Sequence, residues 1–385
     1  MKREPALRGD PLVQARLELT FRGRKIELLA PHSAFSSSRI DAGTRLLLDT
    51  LPPGEPETFL DLGCGYGALG IPIASAFAGA RGLLCDRDLL AVEFAKRNAA
   101  LAGTTSVEVA ASLGYRDLPR AWEAFDWILF NAPARAGPRA IGALIAGGRT
   151  RLRPGGLLRM VVIAPLADAV GALPGAELAG SSRSHAVFSF PPGPGGEPED
   201  DDYLRDRIEL ELPEKLVLER PTDLADEPHR LPHAVPLIAA HLPERAPARA
   251  LAFRAGYGLM PALLLARYPE TTVDAIDRDL LGIAFARRNL TGAGARASVL
   301  ASLGFERVHG RGPYDLITGE ILSPLGPRAI VAELLDARGL LAPGGAALVL
   351  GLHKHRDDLL AKGWGVPGIS VAARSGPVAL YRIEA

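Results

Sequence analysis

The sequence predicts an α/β protein made of two tandem copies of one domain, each a mostly parallel sheet with helices on both faces. Three observations carry that expectation. Short apolar runs alternate with amphipathic segments of helical period, a glycine-rich turn (Gly63-Cys64-Gly65-Tyr66-Gly67) follows an early run, and the chain repeats itself at an offset near 191 residues. Its 385 residues, 48% hydrophobic and 23% charged, suffice for two domains with ordinary cores.

The elements follow in order. Leu17, Leu19 and Phe21 alternate as the apolar face of a hairpin strand. Then come a strand at 58–62, a helix at 67–77, a strand at 82–85 and a helix at 88–101. Strands at 106–110 and 125–130, a helix at 138–151 and a strand at 157–163 complete the alternation, and 174–190 reads as an antiparallel hairpin at the sheet edge. Such a sheet is covered on both faces and binds ligands at the C-terminal ends of its strands.

The repeat fixes the organisation. Cys85-Asp86-Arg87-Asp88-Leu89-Leu90 through Asn98 recurs as Ile276-Asp277-Arg278-Asp279-Leu280-Leu281 through Asn289, and Ala111-Ser112-Leu113-Gly114-Tyr115 as Ala301-Ser302-Leu303-Gly304-Phe305. Gly137-Pro138-Arg139-Ala140-Ile141 recurs as Gly326-Pro327-Arg328-Ala329-Ile330, and the entry strand as Ile208, Leu210 and Leu212. The expected domains are residues 1–190 and 203–385. Residues 191–202, P-P-G-P-G-G-E-P-E-D-D-D, read as a linker too rich in Pro, Gly and acid to pack.

Lys plus Arg and Asp plus Glu both number 44, so overall charge gives no argument for nucleic acid. Two cysteines, Cys64 and Cys85, exclude a disulfide scaffold and suggest a reducing compartment. The Met-Lys-Arg-Glu-Pro start lacks the apolar stretch of a signal peptide and no segment has the length of a membrane span, so a cytoplasmic protein is expected. His353-Lys354-His355 and the pair His229, His233 have metal-like spacing but no acidic or sulfur ligands beside them, and no metal is expected. Arg135, Arg139, Arg149, Arg151 and Arg153 either track phosphates or are solvated helix arginines.

Phe59 to Gly70, F-L-D-L-G-C-G-Y-G-A-L-G, carries an acid inside an apolar strand followed by glycines at 63, 65 and 67. Gly65, Gly67 and Gly70 with Asp86 also satisfy a dinucleotide-binding fingerprint. Asp61 before the glycines, and Asn131-Ala132-Pro133 after a later strand, favour instead the S-adenosylmethionine cradle of class I, Rossmann-like methyltransferases, which this segment resembles. Asp61 would accept from loop amides or, through water, from the cofactor ammonium, with Cys64 lying between the cradle glycines. Asp86 would hold the ribose hydroxyls, Arg87 would lie along the adenine, and Ser112-Leu113 would border it with a hydroxyl or a backbone group. The resemblance assigns Asn131 and Pro133 to an Asn-Pro-Pro-aromatic motif that holds an acceptor amine. Here the first proline is Ala132 and the aromatic is Ala134.

Ala34-Phe35-Ser36 and Asp41-Ala42-Gly43-Thr44, taken with these motifs, resemble the small-domain methyltransferase superfamily, within it the tandem-domain ribosomal RNA guanine-N2 methyltransferases. That resemblance implies that Phe35 and Thr44 border the cofactor pocket, that ribosomal RNA or a ribosomal subunit is the partner, and that one copy catalyses while the other has decayed. In familiar members the C-terminal copy is catalytic. Here the second copy has Ala252 for Asp61, Arg254 for Gly63 and Glu320 for Asn131, so the first copy is expected to be the active one. The altered Asn-Ala-Pro-Ala leaves a protein side chain or a small molecule open as acceptor, and a non-catalytic RNA- or partner-binding module remains the reading of a different class.

Overall fold

The computed structural model describes residues 10–32, 36–212, 214–224, 234–321, 325–361 and 365–385. It divides into two units, Met1–Tyr203 and Leu204–Ala385. In the first, a hairpin of β1 (Val13–Phe21) and β2 (Arg24–Pro31) precedes α1 (Ala42–Asp49), β3 (Thr58–Leu62), α2 (Gly70–Ala76), β4 (Arg81–Asp86), α3 (Leu89–Leu101) and β5 (Val107–Ala111). β6 (Phe125–Asn131), α4 (Gly137–Arg149), β7 (Leu152–Ile163), the short α5 (Ala167–Gly171), β8 (Glu177–Ser181) and β9 (His185–Phe190) complete it.

The second unit repeats the plan. Hairpin strands β10 (Leu204–Glu211) and β11 (Lys215–Pro221) lead to α6 (Ala234–Ala239), β12 (Arg249–Phe253), α7 (Leu259–Arg267), β13 (Thr272–Asp277), α8 (Leu280–Asn289) and β14 (Ala297–Ala301). β15 (Tyr314–Ile321), α9 (Pro327–Gly339), β16 (Leu341–Leu352), α10 (Arg356–Leu359), β17 (Ile369–Ser375) and β18 (Val378–Glu384) follow. The two seven-stranded sheets have matching orders, β5-β4-β3-β6-β7-β9-β8 and β14-β13-β12-β15-β16-β18-β17. In each, five neighbouring strands run parallel and the last two are joined on by antiparallel pairing, so crossover helices cover the parallel strands and a hairpin closes the edge.

Each hairpin is tied to its sheet by one asparagine. Asn98, fully buried on α3, donates through Nδ2 to the carbonyls of Leu29 and Tyr66 (both 2.8 Å) and accepts from Leu29 N (2.7 Å), joining hairpin, glycine turn and helix. Asn289 does the same with the Glu219 and Tyr257 carbonyls (2.9 and 2.8 Å) and Glu219 N (2.8 Å). Leu17, Leu19 and Phe21 are buried as their alternation requires. Their counterparts Ile208, Leu210 and Leu212 are only half-buried, and the second hairpin buries Leu216 and Leu218 of its other strand more fully.

Two elements differ from the sequence reading. α2 starts at Gly70 and not at 67, because Gly67 has φ +89°, outside any right-handed helix. β7 starts at Leu152, five residues early, because its pairing with β6 absorbs Pro154-Gly155-Gly156 in a register shift. Residues 191–203 lie along the first unit. Asp200 pairs with Arg116 (2.7 Å), Asp202 with Arg139 (3.1 Å) and Glu197 with Arg151, while the Tyr203 ring is 4% exposed. Charge matching thus offsets a composition that alone would leave this segment solvated, although each exposed pair is worth under about 1 kcal/mol.

Candidate active site

β3 brings Asp61 to the C-terminal edge of the first sheet, 1% exposed, where Oδ2 accepts from Gly70 N at the start of α2 (2.7 Å). Burial pushes its carboxyl up to about 7, against the pull of the Gly70 amide, and neighbouring Asp86 adds to the rise. Of the two bonding partners expected for Asp61, the structure contains the backbone amide.

Between Asp61 and α2 the chain turns through Gly63, Gly65 and Gly67 at φ +70°, +56° and +89°. A methyl group added at Gly63 or Gly65 would meet no atom within 4 Å, so both face open space. At Gly67 it would strike the Ile71 side chain at 2.4 Å, so that glycine serves packing as well as backbone geometry. The turn is pinned from below by Gly63 N and Cys64 N, which both donate to the Cys85 carbonyl (2.8 and 2.9 Å). Cys64 and Cys85 are buried thiols held well above their usual pKa, first by burial, and are small side chains filling the strand ends.

Asp86 ends β4 and accepts from Gly65 N (2.8 Å) and Asp88 N (2.9 Å). Burial raises its pKa against those two amides. Arg87 is half-buried and lies near the phenol of Tyr203, whose pKa it lowers while burial lifts it to about 12. Ser112, 2% exposed, spends its hydroxyl inside its own turn, donating to the Gly114 carbonyl (2.9 Å) and accepting from Asp117 N (3.1 Å). Leu113 N donates to Asp117 Oδ2 (3.2 Å). Both expected groups here are therefore engaged locally, each with Asp117, five residues beyond Ser112.

Asn131 ends β6 beside α1. Its Nδ2 donates to Asp41 Oδ2 (2.9 Å) and Thr44 Oγ1 (3.2 Å), and Asp41 also caps α1 by accepting from Thr44 N (3.2 Å). A carboxylate can only accept, so the amide's nitrogen edge must face Asp41 and its oxygen edge the other way. Thr44 is buried in the first turn of α1. Ala132 is buried, whereas Pro133 and Ala134 are exposed, and the Pro133 carbonyl accepts from Ala136 N (3.0 Å). Phe35 lies outside the described residues, although Tyr66 of the glycine turn reaches the neighbouring Ser36 carbonyl (3.3 Å). Sequence reasoning missed Asp41, whose partner is 90 positions away. The D-x-G-T spacing around it was the available signal.

The arginine row is largely committed to holding the fold. Arg149 donates to the Pro174 and Pro191 carbonyls (2.9 and 3.0 Å) and Arg153 reaches Glu57 and Asp126 (3.1 and 3.4 Å). Arg139 and Arg151 pair with Asp202 and Glu197, and the Arg139 side chain is still 67% exposed. His229 and His233 lie outside the described residues, among which no three metal-ligating side chains cluster. No helix of the described residues is long and apolar enough to cross a membrane.

The equivalent edge of the second unit carries an arginine in place of the first bare glycine. Arg254, at φ +50° where the first unit has Gly63, makes a two-point pair with Glu333 of α9 (Nε–Oε1 2.8 Å, Nη2–Oε2 2.7 Å). Phe253 packs edge-on against Phe305, and Ala252 and Glu320 are buried. Asp277 nevertheless keeps both backbone bonds of its counterpart Asp86, from Gly256 N and Asp279 N (2.8 Å each).

The chain is similar to known methyltransferases. The methyltransferase small domain family matches residues 25–169 and 229–350, a stretch in each unit. An uncharacterised Bacillus subtilis protein, YbxB, is 32% identical over 142 residues, covering 37% of this chain and 70% of that protein. Ribosomal RNA large subunit methyltransferase G of Shewanella amazonensis is 36% identical over 138 residues (34% of this chain, 35% of that one). Ribosomal RNA small subunit methyltransferase C of Actinobacillus pleuropneumoniae is 32% identical over 148 residues (37% and 44%). The chain thus aligns with less than half the length of these two named enzymes. Among solved structures, the Thermus thermophilus 16S rRNA N2 G1207 methyltransferase, in complex with AdoMet and guanosine, shares the fold over 96% of this chain and 98% of its own, with TM-score 0.67 and 18% identity. The chain belongs to the methyltransferase small domain family, and its fold is that of a class I S-adenosylmethionine-dependent methyltransferase.

Proposed function

We propose that the first unit methylates an exocyclic amine of a base in ribosomal RNA, using S-adenosylmethionine, and that the second unit is a degenerate copy that binds no cofactor. One observation carries the reading: the Asn131 amide is clamped with its oxygen edge turned away from Asp41 and Thr44, at the same sheet edge as the open Gly63-Gly65 cradle. The cradle suits the cofactor because both glycines leave backbone bare where side chains would stand. Asp61 and Asp86 would hold its ammonium and ribose ends, with Thr44, Cys64, Gly67, Arg87, Ser112 and Leu113 around it.

When bound, S-adenosylmethionine supplies a methyl group on a sulfonium, electrophilic enough that the acceptor needs positioning more than a strong base. Asn131 Oδ1 accepts from the target amine and turns its lone pair, and the Ala132 carbonyl is the second acceptor, since Pro133's is taken by Ala136. As positive charge develops on the amine, both dipoles already point at it and no reorganisation is required. Relatives named as ribosomal RNA methyltransferases, and a structural neighbour holding AdoMet and guanosine, support the substrate class. Ala134 stands exposed where a stacking ring would be, which favours an acceptor held without a sandwich as the second reading.

Incubation with methyl-labelled cofactor and, in parallel, deproteinised ribosomal RNA, ribosomal subunits and total protein tests the proposal. Label should enter the RNA, and Asn131→Ala should cut turnover by about a hundredfold, roughly 3 kcal/mol, with cofactor affinity within a few fold. Label in protein alone, or an unchanged turnover in Asn131→Ala, would overturn it.

A further inference from the structure

We propose that Asp41 is a positioning residue, setting which end of the Asn131 amide faces the acceptor amine. The inference rests on the function proposed above for Asn131. An amide presents a donor at one edge and an acceptor at the other, and only the acceptor edge can receive an amine N–H. Nothing intrinsic to asparagine selects between the two. In this fold the choice is made by Asp41 Oδ2 at 2.9 Å and Thr44 Oγ1 at 3.2 Å, which take both protons of Nδ2. Flipping the amide would point its oxygen at a carboxylate, a repulsive contact in place of a charge-assisted bond.

The short motif around Asp41 fits this single task. Asp41 Oδ2 is itself anchored by Thr44 N (3.2 Å), so capping the helix and holding the amide use one oxygen. Gly43 provides the room. A methyl group there would stand 2.8 Å from Asp41 Oδ2 and 2.8 Å from Cδ2 of His185, whose ring closes the other side. The second copy offers an independent comparison. At the offset of 191 that aligns Pro56 with Pro247, the residues matching Asp41, Gly43 and Thr44 are Pro232, Ala234 and Val235. None can accept from an amide through its side chain, and the residue matching Asn131 is Glu320. Clamp and amide are absent together.

Asp41→Ser separates the two duties of the residue. Serine caps a helix as well as aspartate does but is one bond shorter, so α1 should stay folded while Asn131 loses its main acceptor. Asp41→Asn keeps an oxygen at the right reach. In nitrogen-15 spectra of the cofactor-free protein, the Asn131 side-chain amide protons should be protected from solvent exchange in the wild type and in Asp41→Asn, and unprotected in Asp41→Ser. In the labelled-cofactor assay on ribosomal RNA, Asp41→Ser should lower kcat at least tenfold, with cofactor Kd within about threefold, and Asp41→Asn should recover most of that loss. Combined with Asn131→Ala, Asp41→Ser should cost nothing further. If Asp41→Ser unfolds the first unit, Gly43→Ala displaces the same carboxylate from inside the helix and should give the same protection loss and the same non-additivity. Retained protection in Asp41→Ser, or an equal additional kcat loss in the Asn131→Ala background, would overturn the inference. An inert Asn131→Ala with protection lost in Asp41→Ser would instead overturn the proposed function and leave the clamp standing.

Discussion

Asp86 and Asp277 sit at equivalent strand ends and accept equivalent pairs of backbone bonds, yet only Asp86 stands beside an open glycine cradle. In the second unit Arg254 and its partner Glu333 occupy the matching edge. Two kinds of residue thus behave differently in a duplicated fold. The staples Asn98 and Asp86, which fasten the glycine turn, persist in the second copy as Asn289 and Asp277 with the same backbone bonds. Residues of the proposed site, namely Gly63, Asp41 and Asn131, have counterparts of unrelated chemistry. On the proposed reading, the retained Asp277 serves the loop's fold and not a second cofactor.

The largest expected difference between the units is in pH dependence. Asp61 is lifted by burial to about 7 from an ordinary 3.8, while its counterpart Ala252 cannot titrate. Between those values the native first unit holds a proton that the unfolded chain has released. Its stabilisation is complete below about pH 4 and is lost as pH rises through 7, by as much as about 4 kcal/mol. Asp86, also raised by burial, adds in the same direction. Denaturant unfolding of the cofactor-free protein from pH 5 to 8 should show the first unit weakening as pH rises, and a shallower slope in Asp61→Asn. A slope that is flat in both would return the Asp61 carboxyl to the ordinary range.

Next in size is an effect the units should share. Asn98→Ala and Asn289→Ala each orphan three backbone groups and should each cost about 3 kcal/mol in their own unit. Chemical unfolding of the two variants reads both numbers, and a cost in one unit only would break the claim that the staple is common. Smaller still, and confined to the second unit, is the Arg254–Glu333 pair, whose side chains are 14% and 20% exposed. Arg254→Ala should cost about 2 kcal/mol, and a cycle with Glu333→Ala should show coupling of about 1 kcal/mol. Additive costs would mean that the arginine merely lines the edge.

The mostly parallel sheet with its antiparallel edge, the duplication and the strand positions were legible because apolar runs, glycine turns and a fixed offset are local or repetitive signals. Helix and strand starts at Gly70 and Leu152 were less so, since they depend on a positive φ at Gly67 and on a register shift around Pro154. The acidic segment after Pro191 read as solvated because its arginine partners sit 46 to 84 positions away. In the candidate site, the strand-end residues could be placed from pattern alone. The clamp on Asn131 could not, because it joins α1 to β6 across 90 positions, and neither could the self-contained turn that absorbs the Ser112 hydroxyl.

Calorimetric titration of S-adenosylmethionine into the full chain addresses the contrast between the units most directly. One molecule should bind per chain, and Gly63→Arg, which places in the first unit the side chain that fills the second, should abolish binding while Arg254→Gly leaves the stoichiometry at one. Two molecules per chain, or binding that survives Gly63→Arg, would contradict the account.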